Sequence, residues 1–128
     1  MGQTVSYLLD SVVLIDHLNG VAAATRFIER QGRGELAVSA ITRAEVLAGF
    51  DEADVPLGVA LLDSFRFLPM DAEVADEAAR IRRQTRLKLP DAIQAAFASR
   101  HGLKLATRNT KDFPAGKFSF VEIPYRLR

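Results

Sequence analysis

The chain contains no cysteine, and this absence removes three kinds of chemistry at once. Without a thiol there is no disulfide, no thiolate nucleophile and no cysteine-ligated zinc. The two histidines, His17 and His101, lack the spacing of paired metal ligands. Any metal that the protein binds is therefore expected to have oxygen ligands.

Long hydrophobic runs are also missing. No stretch approaches the length of a membrane span, and the N-terminus lacks the basic, apolar and small-residue regions of a signal peptide. The composition, 48% hydrophobic and 26% charged, is ordinary for a globular protein. We therefore expect a cytoplasmic protein with no membrane partner. Its 128 residues fit a single domain, 1–128, with one well-buried core.

Neither sign of charge is in excess, since 17 basic and 16 acidic residues give a formal net charge of +1. The distribution is more informative, because basic residues cluster over residues 80–88 and again over residues 100–111. Alone, the first cluster is better interpreted as the solvated face of a helix. Beside an acidic site, however, a basic rim is what a polyanionic substrate needs.

Short apolar runs alternate with helical patterns along the whole chain. Strands are predicted at residues 7–9, 36–38, 67–68, 103–107 and 118–123, and helices at 12–18, 21–31, from Ser39 to about Gly49, 56–65, from Asp71 to before Pro90, and 91–100. Strands separated by helices require right-handed crossovers. The sequence therefore predicts an α/β fold with a mainly parallel central sheet and helices on both faces.

Four acids follow these elements at corresponding places. Asp10 ends the first strand, Glu45 lies in the helix after the second, Asp91 begins an almost entirely apolar helix, and Asp112 follows the fourth strand. The carboxyl ends of parallel strands share one edge of a sheet, where ligands bind. Carboxylates that converge there repel one another unless a cation neutralises them, and Mg²⁺ and Mn²⁺ prefer oxygen ligands. Such a site typically acts on phosphoesters.

Each acid also has a purely structural interpretation. Asp10 can accept backbone hydrogen bonds in a strand-to-helix turn, and Asp112 can close an Asx-type turn. Asp91 can interact with a helix dipole, which contributes about 0.3 to 1 kcal/mol. Glu45 ends a Thr-Arg-Ala-Glu capping box, unless Ser39 is the cap. Each of these is the better interpretation for one acid alone, but together they require four coincidences.

Four blocks of sequence resemble a known family. In order along the chain they read Leu-Leu-Asp-Ser-Val-Val-Leu-Ile-Asp, Ser-Ala-Ile-Thr-Arg-Ala-Glu-Val-Leu-Ala-Gly, Leu-Pro-Asp-Ala-Ile-Gln-Ala-Ala and Leu-Ala-Thr-Arg-Asn-Thr-Lys-Asp-Phe. Together they resemble a PIN domain, and more closely the VapC-type toxins of bacterial toxin–antitoxin pairs. The resemblance covers nearly the whole chain, which makes it more specific than any single motif.

The resemblance implies a Mg²⁺- or Mn²⁺-dependent ribonuclease toxin. Its catalytic and metal-binding acids would be Asp10, Glu45, Asp91 and Asp112. The expected partners are RNA, a small VapB-like antitoxin that covers the site, and a second copy of the chain in a homodimer.

This chain departs from the family pattern directly after Asp10, where Asp-Thr-Asn is usual. Ser11 keeps a hydroxyl that can orient water or phosphate, whereas Val12 loses an amide. Thr107 and Asn109 are expected to donate hydrogen bonds in the site, and Asn109 is a candidate to share the role of Asp112. The candidates for holding RNA phosphates are Arg82, Arg86, Arg108 and Lys111.

Two other functions share features with this sequence. A phosphatase of the haloacid-dehalogenase type also begins from a strand-end aspartate, but it needs a second aspartate where this chain has Val12. A catalytically inactive PIN fold that binds RNA or protein remains the main alternative. The segment 55–67 is more apolar than one buried helix face requires, so it either packs on the core or faces an antitoxin or a second subunit.

Overall fold

The computed structural model describes residues 6–114 and 116–127. Five strands lie in this part of the chain: β1 Tyr7–Leu9, β2 Leu36–Ser39, β3 Arg66–Leu68, β4 Lys104–Ala106 and β5 Val121–Glu122. Six α-helices accompany them: α1 Ser11–Leu18, α2 Ala22–Gln31, α3 Ala40–Ala48, α4 Val55–Asp63, α5 Ala72–Gln84 and α6 Leu89–His101. Short 3₁₀ turns occupy Arg33–Glu35 and Glu52–Asp54. The order of elements confirms the predicted pattern.

The strands form one sheet in the order β3-β2-β1-β4-β5, and each of these pairings is parallel. β1 is central, with Leu8 opposite Ala37 of β2 and Leu105 of β4. The predicted mainly parallel sheet is therefore confirmed. Because the strands are parallel, the residues that follow β1, β2 and β4 reach the same edge of the sheet.

Helices cover both faces of this sheet, as predicted. Successive strand residues point to opposite faces. Leu8 and Leu105 accordingly pack in a core with α5 and α6, whereas Leu9 and Ala106 pack on the other side with residues of α1 to α4. All four side chains are fully buried. The sheet is thus held rigidly between two apolar layers, and its edge is a fixed platform for the residues at the strand ends.

Caps set where the helices that carry the acids begin. The Ser39 hydroxyl accepts a hydrogen bond from the amide of Thr42 at 3.2 Å, and this bond starts α3 at Ala40. Glu45 therefore lies in the second turn of α3, and the capping-box interpretation of Glu45 is wrong. Pro90 lies in the first turn of α6, where its missing N–H costs nothing.

The last strand is shorter than predicted. Residues 118–123 were expected to be extended, but only Val121–Glu122 pairs with β4. A turn closed by the hydrogen bond from the Val121 amide to the Phe118 carbonyl, 3.2 Å long, prevents an earlier start. No helix in the part of the chain that the structure describes is long and apolar enough to cross a membrane.

Candidate active site

Asp10 lies in the connection from β1 to α1 and is held by three donors. Its Oδ1 accepts hydrogen bonds from the Ser11 amide at 3.0 Å and from Nε2 of Gln94 at 3.4 Å. Its Oδ2 accepts one from the Thr107 hydroxyl at 2.7 Å. Since Asp10 is only 7% exposed, these bonds fix the direction in which the carboxylate points.

Gln94 of α6 connects Asp10 to two other elements. Its side-chain oxygen accepts a hydrogen bond from the Ser39 hydroxyl at 2.6 Å, and its Nε2 donates to the Thr42 hydroxyl at 2.8 Å. We did not predict this role. A signal was present, because Gln94 is the one polar residue between Ala92 and Ala98 and lies three positions after Asp91, on the same helix face.

Asp91 lies in the first turn of α6, and the other acids influence its pKa. Its pKa is raised to about 6, first by burial and then by the negative charges of Asp112, Asp10 and Glu45, while Lys88 acts in the opposite direction. A carboxylate is influenced in this way only by charges that lie near it. The structure therefore brings the four predicted acids to one edge of the sheet.

Glu45 is the most exposed of the four acids. The surrounding protein removes part of its water and so raises its pKa, the Ser11 hydroxyl lowers it, and the charge of Asp10 raises it. Glu45 thus lies near the Asp10 carboxylate and is open to solvent. Ser11 lies beside Glu45, in keeping with its predicted supporting role.

Asp112 is joined to the loop that follows β4. Nδ2 of Asn109 donates to Oδ2 of Asp112 at 2.8 Å, and the Asp112 amide donates to Oδ1 of Asn109 at 3.4 Å. The Asn109 amide in turn donates to the Thr107 hydroxyl at 3.0 Å. Thr107 and Asn109 therefore lie in the site as hydrogen-bonding residues, each in contact with one of the acids.

The acids meet the chemical requirements of a hard divalent cation. Within residues 6–114 and 116–127, no three histidine or acidic side chains already stand close enough together to hold an ion by themselves. Mg²⁺, however, keeps several waters and is usually bound through only one or two carboxylates. A donor set of carboxylate oxygens whose charges repel one another fits that mode of binding.

A basic cleft adjoins Asp91 and Asp112. It has a volume of about 180 Å³, and its charged lining includes both acids together with Arg86, Lys88, Lys111 and Lys117. A second, more open cleft continues from it along Arg82, Arg83 and Arg86. Three of the predicted phosphate-binding candidates thus lie along one path to the acids. Lys117 also lines both clefts and was not predicted.

Arg108, the fourth phosphate-binding candidate, lines neither of these clefts. Its guanidinium donates to Asp16 through Nε at 2.5 Å and Nη2 at 2.8 Å. This bidentate pair lowers the pKa of Asp16, against the opposing effect of burial, and Tyr125 lowers it further. The guanidinium is therefore already neutralised by a partner inside the protein.

An apolar groove opens on the other side of Glu45. It is lined by Glu45 and Val46 of α3 and, from α1, by Ile15 and Leu18, which are 40% and 43% exposed. The segment 55–67 is divided: Leu62 is buried in the core, whereas Leu57 is 68% exposed. Part of the segment therefore packs on the core, and part of it is exposed.

The residues from 7 to 118 match the family model of the PIN domain. The chain belongs to the PIN-domain family. This PIN domain is 37% identical to Ribonuclease VapC10 of Mycobacterium tuberculosis over 113 residues, which cover 84% of this chain and 85% of that protein. It is therefore a VapC-type ribonuclease toxin, a member of a family that is typically metal-dependent.

Solved structures agree with this assignment. A toxin–antitoxin complex from Klebsiella pneumoniae contains a chain that is 34% identical, with a TM-score of 0.85, over 95% of this PIN domain and 100% of that chain. The structure of FitAcB from Neisseria gonorrhoeae contains a chain that is 27% identical, with a TM-score of 0.77. The match covers 94% of this PIN domain and 99% of that chain. Both similarities cover nearly the whole length of this PIN domain.

Proposed function

We propose that this PIN domain hydrolyses RNA phosphodiester bonds with a Mg²⁺ or Mn²⁺ ion held at the acidic edge of its sheet. The observation that supports this most strongly is the convergence of three other carboxylates on Asp91, whose pKa burial and these charges raise to about 6. Like charges gathered in this way are stabilised by a cation. A ribonuclease relative makes RNA the substrate class.

Asp10 and Asp91 would be the main ligands of the ion. Glu45 would bind it directly or through water, and Asp112 would be a ligand or would position water. The ion supplies an activated water and neutralises charge on the phosphoryl oxygens. The protein itself keeps Asp10 oriented through Thr107 and Gln94, and keeps Asp112 oriented through Asn109.

RNA would reach the acids along the basic cleft. Arg86, Lys111 and Lys117 line the wall next to Asp91 and Asp112, and Arg82 extends the same path. Cations beside an acidic centre let a polyanion approach carboxylates that would otherwise repel it. We leave Arg108 out of this set because Asp16 occupies its guanidinium.

The test is cleavage of a mixed pool of structured RNAs with Mg²⁺, with Mn²⁺ and with EDTA. Asp91→Asn keeps the shape of the side chain and removes its charge. Asp76→Asn is the matched control, since it makes the same change at an exposed position of α5. We expect metal-dependent cutting by the wild type and by Asp76→Asn, and none by Asp91→Asn.

The inactive binding module predicts a different outcome. A PIN fold without a working site would show no metal-dependent cutting of any RNA in the pool, although it is folded. It would also gain little thermal stability from Mg²⁺ or Mn²⁺, since a ligand stabilises only a protein that binds it. These two results together would reject the proposed ribonuclease mechanism.

The proposed partner is a small VapB-like antitoxin that covers the site. Relatives of this chain occur in toxin–antitoxin complexes. The apolar groove between α1 and α3 begins at Glu45, so an apolar segment seated there lies next to the acids.

The exposed side chain of Leu57 on α4 is the candidate contact for a homodimer. Leu57→Asp should then lower the mass measured by light scattering from dimer to monomer.

A further inference from the structure

Asp16 is a buried acid that the proposed chemistry does not use. It lies in α1, is 5% exposed, and accepts three hydrogen bonds. Two come from the Arg108 guanidinium, and the third comes from the Tyr125 hydroxyl at 2.7 Å. We call Asp16, Arg108 and Tyr125 the clasp. A bidentate arginine–carboxylate pair of this kind fixes geometry as well as contributing energy.

The clasp holds the loop that supports two of the proposed catalytic acids. Arg108 lies between Thr107 and Asn109 in the sequence. Thr107 donates to Asp10 at 2.7 Å, and Asn109 donates to Asp112 at 2.8 Å. The residues on both sides of Arg108 therefore each contact one acid. A shift of this loop would move Asp112 and would weaken one of the three hydrogen bonds that orient Asp10.

The same loop is fixed to α1 at two points. Asp10 is the N-cap of α1 and is bonded to Thr107, whereas Asp16 lies toward the other end of the helix and is bonded to Arg108. Six residues of helix separate these points by about 9 Å. The Thr107 amide also donates to the Glu122 carbonyl at 3.1 Å, so the start of the loop is held to the sheet as well. The bonds from Arg108 to Asp16 add a restraint one residue further along the loop.

We propose that the clasp positions residues 107–109 so that Asp10 and Asp112 are oriented for the divalent ion. Arg108 is then a positioning residue and does not bind RNA phosphate. This inference rests on the proposed metal site. Partners of metal ligands commonly change metal affinity or activity about 10- to 100-fold when they are replaced.

The experiment compares wild type with Asp16→Asn, Arg108→Lys and the double variant. Arg108→Lys keeps the charge but loses the planar fork that matches a carboxylate. The control pair is Asp63→Asn and Arg43→Lys, which alter an exposed ion pair of 2.9 Å. Calorimetry with Mn²⁺ gives the metal affinity, and cleavage of an RNA that the wild type cuts gives kcat and KM.

We expect both clasp variants to bind Mn²⁺ more weakly than wild type, by up to about 10-fold because they act through Thr107 and Asn109, with lower kcat and an unchanged KM for RNA. The double variant should be no worse than the more affected single variant, because both break the same contact. The control variants should bind Mn²⁺ like the wild type. Rescue of kcat by excess Mn²⁺ would support the positioning role further.

Two results would overturn the inference. If Arg108→Lys raises KM and Asp16→Asn lowers it while Mn²⁺ affinity stays the same, Arg108 binds RNA. If both variants only melt at lower temperature, with wild-type Mn²⁺ affinity below that temperature, the clasp is merely structural.

A milder variant covers a failure to fold. Tyr125→Phe removes a single hydrogen bond from Asp16, and its Mn²⁺ affinity should fall in the same direction. Unchanged affinity in that variant would also reject the clasp. A wild type that neither binds Mn²⁺ nor cuts RNA would instead show that the proposed function itself has failed.

Discussion

Replacing Asp91 by asparagine should make the metal-free protein more stable at neutral pH while abolishing its activity. The pKa of Asp91 is about 6, against an ordinary value of 3.8. The folded state therefore binds the proton more tightly than the unfolded state does. The contribution of Asp91 to the free energy of unfolding is highest below the pKa of the unfolded state, near pH 4, and falls as the pH rises through 6. Asparagine cannot ionise, so the variant does not lose this stability.

The size of the stability gain follows from the shift in the pKa of Asp91. Two pKa units correspond to about 3 kcal/mol as a ceiling. Asp91 is only partly buried, and solvent screening reduces the effect to about 1–2 kcal/mol. The expectation is therefore a gain of about 1–2 kcal/mol at pH 7.5, and none at pH 4.

Urea unfolding in EDTA at several pH values measures this gain, and a second series with Mn²⁺ reverses the order. Bound ion stabilises the wild type according to its concentration and dissociation constant, whereas Asp91→Asn lacks a main ligand. Without metal, Asp91→Asn should therefore unfold at the higher urea concentration, and with Mn²⁺ the wild type should. Asp76→Asn should follow the wild type throughout. A metal-free Asp91→Asn that is less stable than wild type at pH 7.5 would refute the reasoning, since Asp91 would then be a stabilising helix-terminus residue.

Three further predictions concern other parts of the molecule. Gln94→Leu removes one hydrogen-bond partner from each of the buried hydroxyls of Ser39 and Thr42. It should therefore lower the free energy of unfolding, measured with urea, by about 1–3 kcal/mol. An unchanged urea midpoint would contradict this. Lys117→Ala should raise KM for RNA and make KM less dependent on salt concentration, without changing Mn²⁺ affinity. An unaltered salt dependence of KM would show that Lys117 does not contact the RNA. Gly102→Ala should cost about 1 kcal/mol of stability, because φ is 65° where α6 ends and no atom of the described residues lies within 4 Å of an added methyl group. A gain in melting temperature would contradict this.

The fold could be predicted because its signals are local. The apolar run at Tyr7–Leu9, the cap at Ser39 and the proline at the start of α6 each specify an element within a few residues. Element order then gave the parallel sheet, and the rule for strand ends placed the acids at one edge. The end of the chain was harder, because a turn closed by Val121 shortened the last strand.

The supporting contacts could not be predicted, because their partners are far apart in the sequence. Gln94 and Asp10 are separated by 84 positions, and Tyr125 and Asp16 by 109. A basic residue near an acid in the sequence resembles a phosphate-binding residue until its partner is known. Arg108 has such a partner 92 positions away, whereas Lys111, three residues later, lines the basic cleft.

The most direct test of the acid site is the location of Mn²⁺ by its anomalous scattering in crystals of the protein. The account predicts a peak bound by carboxylate oxygens of Asp10 and Asp91, and no peak in crystals of Asp91→Asn grown in the same way. A peak elsewhere, or none at these two acids in a protein that cuts RNA with Mn²⁺, would contradict the central claim.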